Sequence, residues 1–349
     1  MKPALLTVPL LALLALATAE PPNVAPAAPA ASPEVGPGGA AGLGAGAPNG
    51  VGFAARKSGF ALRIRQDVTP YSLFSLFALP GETVPLSLVL PGAGVKLDFE
   101  ASAGALRAGG PTSWTWDAPG APGLYRLRFV ESATKREILL NAFVMHRVEP
   151  GAESVGGYLL GKYPQAPKAG GAGRMASAYQ APRGFVEVTA DNRDVPVSPH
   201  FTLGQFVCKQ GAGWPKFVAL REPLLIKLEA LLEAANQRGW KARTFHVMSG
   251  YRTPAYNRGL QNVGLSRHLY GDAADVFIDD DGDGAMDDLN RDGRVDRADA
   301  VALHDLFAEV EATASLAPYV GGLGIYPATA AHGPYVHVDA RGSRARWGE

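Results

Sequence analysis

Between Phe60 and Val144 the apolar residues fall on every second position: Phe60, Leu62 and Ile64; Val84, Leu86, Leu88 and Leu90; Val95, Leu97 and Phe99; Tyr125, Leu127 and Phe129; Ile138, Leu140, Ala142 and Val144. Alternation with period two puts one face of each segment in a core and the other in water, which is the pattern of half-buried strands and not of helices. Pro80-Gly81, Pro91-Gly92, Pro119-Gly120 and Pro122-Gly123 punctuate these runs. Short strands at that spacing predict an all-β sandwich over residues 57–148.

The flanks differ. Lys2, the apolar run Ala4 to Leu16 and the small-x-small Ala17-Thr18-Ala19 read as a signal peptide, residues 1–19, cut after Ala19. The run contains Pro9 and is shorter than the ~20 residues that span a bilayer, so the expectation is a periplasmic or secreted chain with no transmembrane segment in its mature form. Residues 20–56 are Pro, Ala and Gly with almost no charge, a linker that cannot bury enough apolar surface to offset chain entropy. In 349 residues Lys+Arg and Asp+Glu are equal at 33 each, which gives no long-range pull toward nucleic acid. Cys208 is the one cysteine, so an intrachain disulfide is excluded. Beside Phe206 and Val207 it reads as a small buried hydrophobe.

Residues 149–198 form a connector with a Gly/Ala-rich break at Lys168 to Ala172 and a strand at Phe185 to Val188. From 199 onward helical signals enter. In the clearest, Pro223 to Arg238, Pro223 lies in the first turn, Gly239 follows the end, and Leu224, Leu225, Leu228, Leu231, Leu232 and Ala235 make one stripe. Thr244 to Met248 reads as a strand leading into the segment that carries the chemistry.

That segment is Ser266-Arg-His268-Leu-Tyr-Gly271-Asp-Ala273-Ala-Asp275, answered downstream by Tyr335-Val-His337-Val-Asp339. Imidazole nitrogen and carboxylate oxygen are both good zinc donors, and three protein ligands leave a fourth position open for chemistry. Gly271 and the small Ala273 and Ala274 let a loop donor and a strand donor meet at one ion.

These motifs, with Ser249-Gly-Tyr-Arg252-Thr-Pro-Ala-Tyr-Asn257 and Gly321-Gly-Leu-Gly-Ile-Tyr-Pro327 in the same order, resemble the zinc D-alanyl-D-alanine carboxypeptidases, closest to the murein endopeptidase branch of that hedgehog-like group. The resemblance covers roughly residues 200 to 345. It implies an α+β hedgehog-like zinc peptidase domain over 199–349, zinc held by His268, Asp275 and His337, and Arg252 in the substrate pocket. The implied reaction is hydrolysis of peptide bonds in peptidoglycan stem peptides or crosslinks, as a D,D-carboxypeptidase or an endopeptidase. Arg252, permanently charged and forked, suits an oxyanion or a peptide carboxylate. Many relatives carry Glu, Asp or His two or three residues before the last ligand, where this chain has Tyr335 and Pro334. Asp339 and His332 are therefore the candidate bases, Asp339 alternatively orienting His337. The departure keeps a second reading open, a non-catalytic peptidoglycan-binding protein with the same fold, and a peptidase acting on protein is a third. The sandwich, where Trp114 to Phe129 resembles bacterial immunoglobulin-like modules, is a spacer or binding module. His146, His200, His246 and His304 lack such context and read as structural.

An acidic insert, residues 279–299, follows Asp275. Counted from Asp288, oxygen donors fall at calcium-loop positions: Asp288, Asn290, Asp292, the Arg294 carbonyl, Asp296 and Asp299, with Gly293 at the sixth. Asp at the twelfth position resembles dockerin-type loops, and a helix from Ala298 to about Val310 fits the flank. An overlapping window from Asp279, with Asp281 and Asp283, is a further calcium candidate. Calcium there is expected to be structural.

Overall fold

The computed structural model describes residues 53–90, 95–165 and 179–348. The expected signal peptide, most of the linker and the Lys168 to Ala172 break lie outside the described residues. All the described residues belong to one compact unit, and no helix among them is long and apolar enough to cross a membrane.

The alternating stretches fold as nine strands: β1 (Lys57–Ile64), β2 (Asp67–Tyr71), β3 (Leu73–Ala78), β4 (Thr83–Leu90), β5 (Leu97–Ala101), β6 (Ala105–Gly110), β7 (Ser113–Asp117), β8 (Gly123–Glu131) and β9 (Glu137–Val144). They form two sheets, ordered β2-β1-β4-β7-β6 and β3-β9-β8-β5. Inward side chains such as Leu62, Val84, Trp116, Leu127 and Leu140 are fully buried. Trp114 of one sheet meets Phe129 of the other edge-on at 5.2 Å.

β3 breaks the alternation, because Phe74 to Ala78 are all buried. Its second face is covered by the C-terminal region, so the sandwich is fused to that region and does not hang from it. The cover is the segment Pro196–Ser198 together with α1 (Glu222–Gln237), which forms as the stripe predicts, with Pro in its first turn and Arg238 as C-cap. Glu222 in that turn accepts from Phe77 N at 3.0 Å and pairs with Arg65 at 3.2 Å. From β9, Asn141 donates to Pro196 O at 2.8 Å. The expected connector is likewise structural: β10 (His146–Arg147), β11 (Gly184–Val188) and β12 (Lys216–Val218) make one sheet running from the sandwich into the C-terminal region.

Asp67 lies in this seam. Burial pushes its carboxyl up to about 7, Glu222 adds to the rise, and Arg65 and Arg221 oppose it. A carboxyl whose folded pKa exceeds its unfolded value favours folding below the unfolded pKa, and that contribution is lost as pH rises through about 7. Stability should therefore fall between pH 5 and 8 by about 1–2 kcal/mol from this group, after discounting for partial exposure. Urea denaturation at the two pH values should show a smaller fall in Asp67→Asn; an identical fall would contradict the assignment.

The C-terminal region is built on β13 (His246–Ser249), β14 (Ala273–Phe277), β15 (Gly322–Tyr326), β16 (Tyr335–Asp339) and β17 (Ala345–Trp347), in the order β13-β14-β16-β15-β17. The short helix α2 (Pro254–Gly259) follows β13; α1 and α3 (Arg297–Glu311) cover one face, where Val276, Val336 and Val338 share one buried core with Leu228, Leu303 and Phe307. By the period of two, Asp275, His337 and Asp339 then share the opposite face.

Candidate active site

Register places the site. On the central strands Asp275 pairs directly with His337. The row continues outward to Ser249 on one side and, on the other, to Gly324 and then Trp347. His268 joins from the 3₁₀ turn Arg267–Tyr270, which Gly271 closes with φ +75°. A Cβ at Gly271 would lie 2.4 Å from Ala219 O, so both the backbone angle and the space demand glycine. Arg267 and Asp272, a buried ion pair, hold the turn from beneath, and Arg252 N donates to His268 O at 3.1 Å.

The three donors form a tight triangle. His268 Nε2 lies 3.2 Å from both Asp275 Oδ1 and His337 Nδ1, and His337 Nδ1 lies 2.9 Å from Asp275 Oδ1. Donors about 2.0–2.2 Å from a tetrahedral zinc are separated by roughly 3.3–3.5 Å, so this triangle needs little opening to hold one. All three residues are at least nine-tenths buried. The outer nitrogens are engaged: His268 Nδ1 donates to Gly250 O at 2.7 Å, and His337 Nε2 lies 3.2 Å from Asp339 Oδ2. Each bond turns the other ring nitrogen, with its lone pair, toward the centre.

Burial and the contacts among the donors set the charges in opposite directions at the two histidines. Burial lowers His268 below its usual pKa despite Asp275. Burial would raise Asp275, but the two histidines hold it well below the carboxylate range. Burial likewise disfavours charge on His337, yet its bonds to Asp275 and Asp339 raise it.

Arg252 spans Ser249 Oγ at 2.8 Å and Asp275 Oδ2 at 2.5 Å. It thereby pins the outer oxygen of a metal donor. Asp339 is fully buried and faces the far side of the His337 ring, and its Oδ1 accepts from Gly322 N, Arg341 N and Arg341 Nε at 2.9–3.1 Å. Burial pushes its pKa up, and His337 and Arg341 more than reverse this. His332 is outside the donor triangle, edge-on to Tyr335 at 5.0 Å; Tyr335 stacks on Tyr326 at 4.7 Å.

Among the described residues a second group of donors converges at Asp279, Asp281 and Asp283, the overlapping window and not the loop expected to be principal. In the loop from Asp288, side-chain oxygens cap backbone: Asp288 accepts from Arg291, Asp292 and Gly293 N at 2.7–3.2 Å, Asn290 from Asp292 N at 2.9 Å, and Asp292 from Arg294 N at 2.9 Å. Asp296 is the N-cap of α3, and Asp299 reciprocates as the capping-box partner while also accepting from Leu289 N and Asn290 N. Buried Met286 and Leu289 anchor the insert.

A buried site of two imidazoles and one carboxylate, each oriented by a bond behind it, is a zinc-type donor set, and its place in a peptidase-family match makes this a zinc metallopeptidase. Residues 199–310 match the Peptidase M15 family, a region holding His268, Asp275 and Arg252 and ending before His337. No match is found among curated proteins. A solved structure, that of the Yersinia pseudotuberculosis adhesin InvE, is similar at 16% identity over 26% of this chain and 29% of that one, with a TM-score of 0.16. A likeness so slight, over under a third of the adhesin, bears on neither fold nor function.

Sequence reasoning missed Arg341, Trp347 and the Arg267–Asp272 pair. The Trp347 ring lies over Gly324, 5.1 Å from the His337 ring, and a Cβ on Gly324 would sit 2.1 Å from it. The unusual glycine density of Gly321-Gly-Leu-Gly324 was the available signal for a close approach.

Proposed function

We propose that this protein is an exported hydrolase of peptide bonds in peptidoglycan, a D,D-carboxypeptidase or a crosslink endopeptidase. The observation that carries the reading is the donor triangle of His268, Asp275 and His337 within the region similar to Peptidase M15. Zinc held there would supply Lewis acidity toward a scissile carbonyl and a nucleophile ionised near neutral pH. Asp275 and the two histidines hold the ion, and burial keeps competing water from their outer atoms. Arg252 fixes Asp275 through one nitrogen, while its Nη1 makes no bond among the described residues and is the group assigned to the developing oxyanion or a peptide carboxylate.

Of the two candidate bases, Asp339 fits the alternative role, that of orienting His337, since both its oxygens are engaged away from the triangle. His332 keeps Nε2 unbonded among the described residues, its Nδ1 lying 2.8 Å from Gly333 O. It is therefore the side chain assigned to proton transfer. Burial pushes Tyr335 far above its usual pKa, which excludes it as a base.

Defined crosslinked and uncrosslinked muropeptides, followed by mass spectrometry, test the substrate. Loss of terminal D-Ala means a carboxypeptidase and conversion of dimers to monomers an endopeptidase. If the zinc-loaded protein binds these and cuts neither, the non-catalytic wall-binding reading replaces this one.

The insert is assigned a structural calcium, at Asp279, Asp281 and Asp283 or through the loop from Asp288. Millimolar calcium should raise the melting temperature by a few degrees, as binding to the folded state alone requires. Asp281→Asn and Asp288→Asn separate the two loops; an unchanged melting temperature in the parent protein sinks the assignment.

A further inference from the structure

His337 can present only one nitrogen to the centre. The triangle is made with Nδ1, and Nε2 is left to Asp339. What fixes the choice is therefore whatever fixes Asp339. Its side chain is gripped by Arg341, whose Nε lies 2.9 Å from Oδ1 and 3.0 Å from Oδ2, whose Nη2 also reaches Oδ2, and whose own backbone N donates to Oδ1. Gly322 N adds a further donor to Oδ1. Its main-chain carbonyl is held from the helical layer, where fully buried Lys227 donates Nζ at 2.7 Å and pairs with Glu311. Glu311 in turn takes Gly321 N at 2.8 Å and the guanidinium of Arg346. Arg341 also stacks over Trp347 at 5.9 Å, the ring that packs on His337.

We propose that Arg341 is a positioning residue for the reaction: gripping Asp339 as a fixed acceptor, it selects the His337 tautomer that carries hydrogen on Nε2 and offers the Nδ1 lone pair to the metal. The proposal rests on the zinc reading of the triangle. Arg341 touches neither ion nor substrate, and it lies beyond the matched region 199–310. A neutral imidazole can place its hydrogen on either nitrogen. A carboxylate free to turn would let it move to Nδ1, where it would close the triangle to a cation. The two-point grip prevents that turn, and a lysine, with a single point of charge, reproduces it only in part.

Two measurements on the full chain decide the matter. Long-range proton–nitrogen NMR of the metal-free protein, recorded at a pH high enough to leave His337 neutral, reads its tautomer, and competition with a chelating dye reads zinc affinity. The parent protein should show the Nε2–H form alone. Arg341→Gln should show a mixture and bind zinc about 10-fold more weakly, the low end of the cost of losing a partner behind a metal-bound histidine, since Asp339 itself remains. Arg341→Lys should fall between. If Arg341→Gln does not fold, the lysine variant decides alone: parent-like tautomer and affinity in it overturn the proposal, as they would in Arg341→Gln. A parent protein that binds no zinc would defeat the metallopeptidase reading, and the tautomer populations would still judge Arg341.

Discussion

Replacing His268 with alanine should lower kcat/KM by at least about 10³-fold, ~4 kcal/mol of transition-state stabilisation. The triangle loses the donor that joins Asp275 to His337 at 3.2 Å from each, and two remaining ligands do not hold a catalytic zinc against solvent. Folding should survive, because the substitution leaves only Gly250 O without its partner, a cost of about 1–3 kcal/mol. Steady-state hydrolysis, metal content and thermal unfolding on one preparation separate these effects. Retained turnover with stoichiometric zinc would mean that another site does the chemistry.

Gly271→Val should be strongly damaging although it alters no donor. The residue has φ +75° and its missing Cβ would press on the Ala219 carbonyl at 2.4 Å. The left-handed angle costs a β-branched residue about 1–2 kcal/mol, and displacing packed backbone adds roughly 1–3 more. Either the Ala219 segment moves or the His268 turn does, so zinc affinity should fall with stability. Gly284→Val is the control: its φ is +83° but nothing lies within 4 Å of a Cβ there, so only the angular cost applies. Equal melting temperatures for the two variants would contradict the close-approach argument.

The zinc donors were legible because their chemistry is local. His268 and Asp275 are seven residues apart with Gly271 between them, and His337 lies in a short alternating strand, so donor type and spacing specify the site without the rest of the fold. α1 was legible for the same reason, its stripe, Pro223 and Gly239 being contained in one segment. β3 was not: its second buried face exists only because Pro196–Ser198 and α1, both more than a hundred residues later, lie on it. The grip of Arg341 and the position of Trp347 depend on register, since β17 runs parallel to β15 and sets Trp347 beside Gly324, which alternation alone does not specify. Asp339 was half legible. The period of two gave its face, but not that it meets the far nitrogen of His337. In the insert, oxygen spacing for a cation loop coincides with the spacing of side chains that cap backbone, and Asp296 and Asp299 serve α3 in the latter way.

One zinc in the triangle of His268, Asp275 and His337 makes this protein a peptidase. Zinc titrated into metal-stripped protein, with product release from peptidoglycan read at each addition, tests it most directly. The expected result is activity that is absent at the start, rises in proportion to added metal and levels off at one zinc per chain. Full activity in the stripped protein, or none at any zinc level with the triangle occupied, would contradict it.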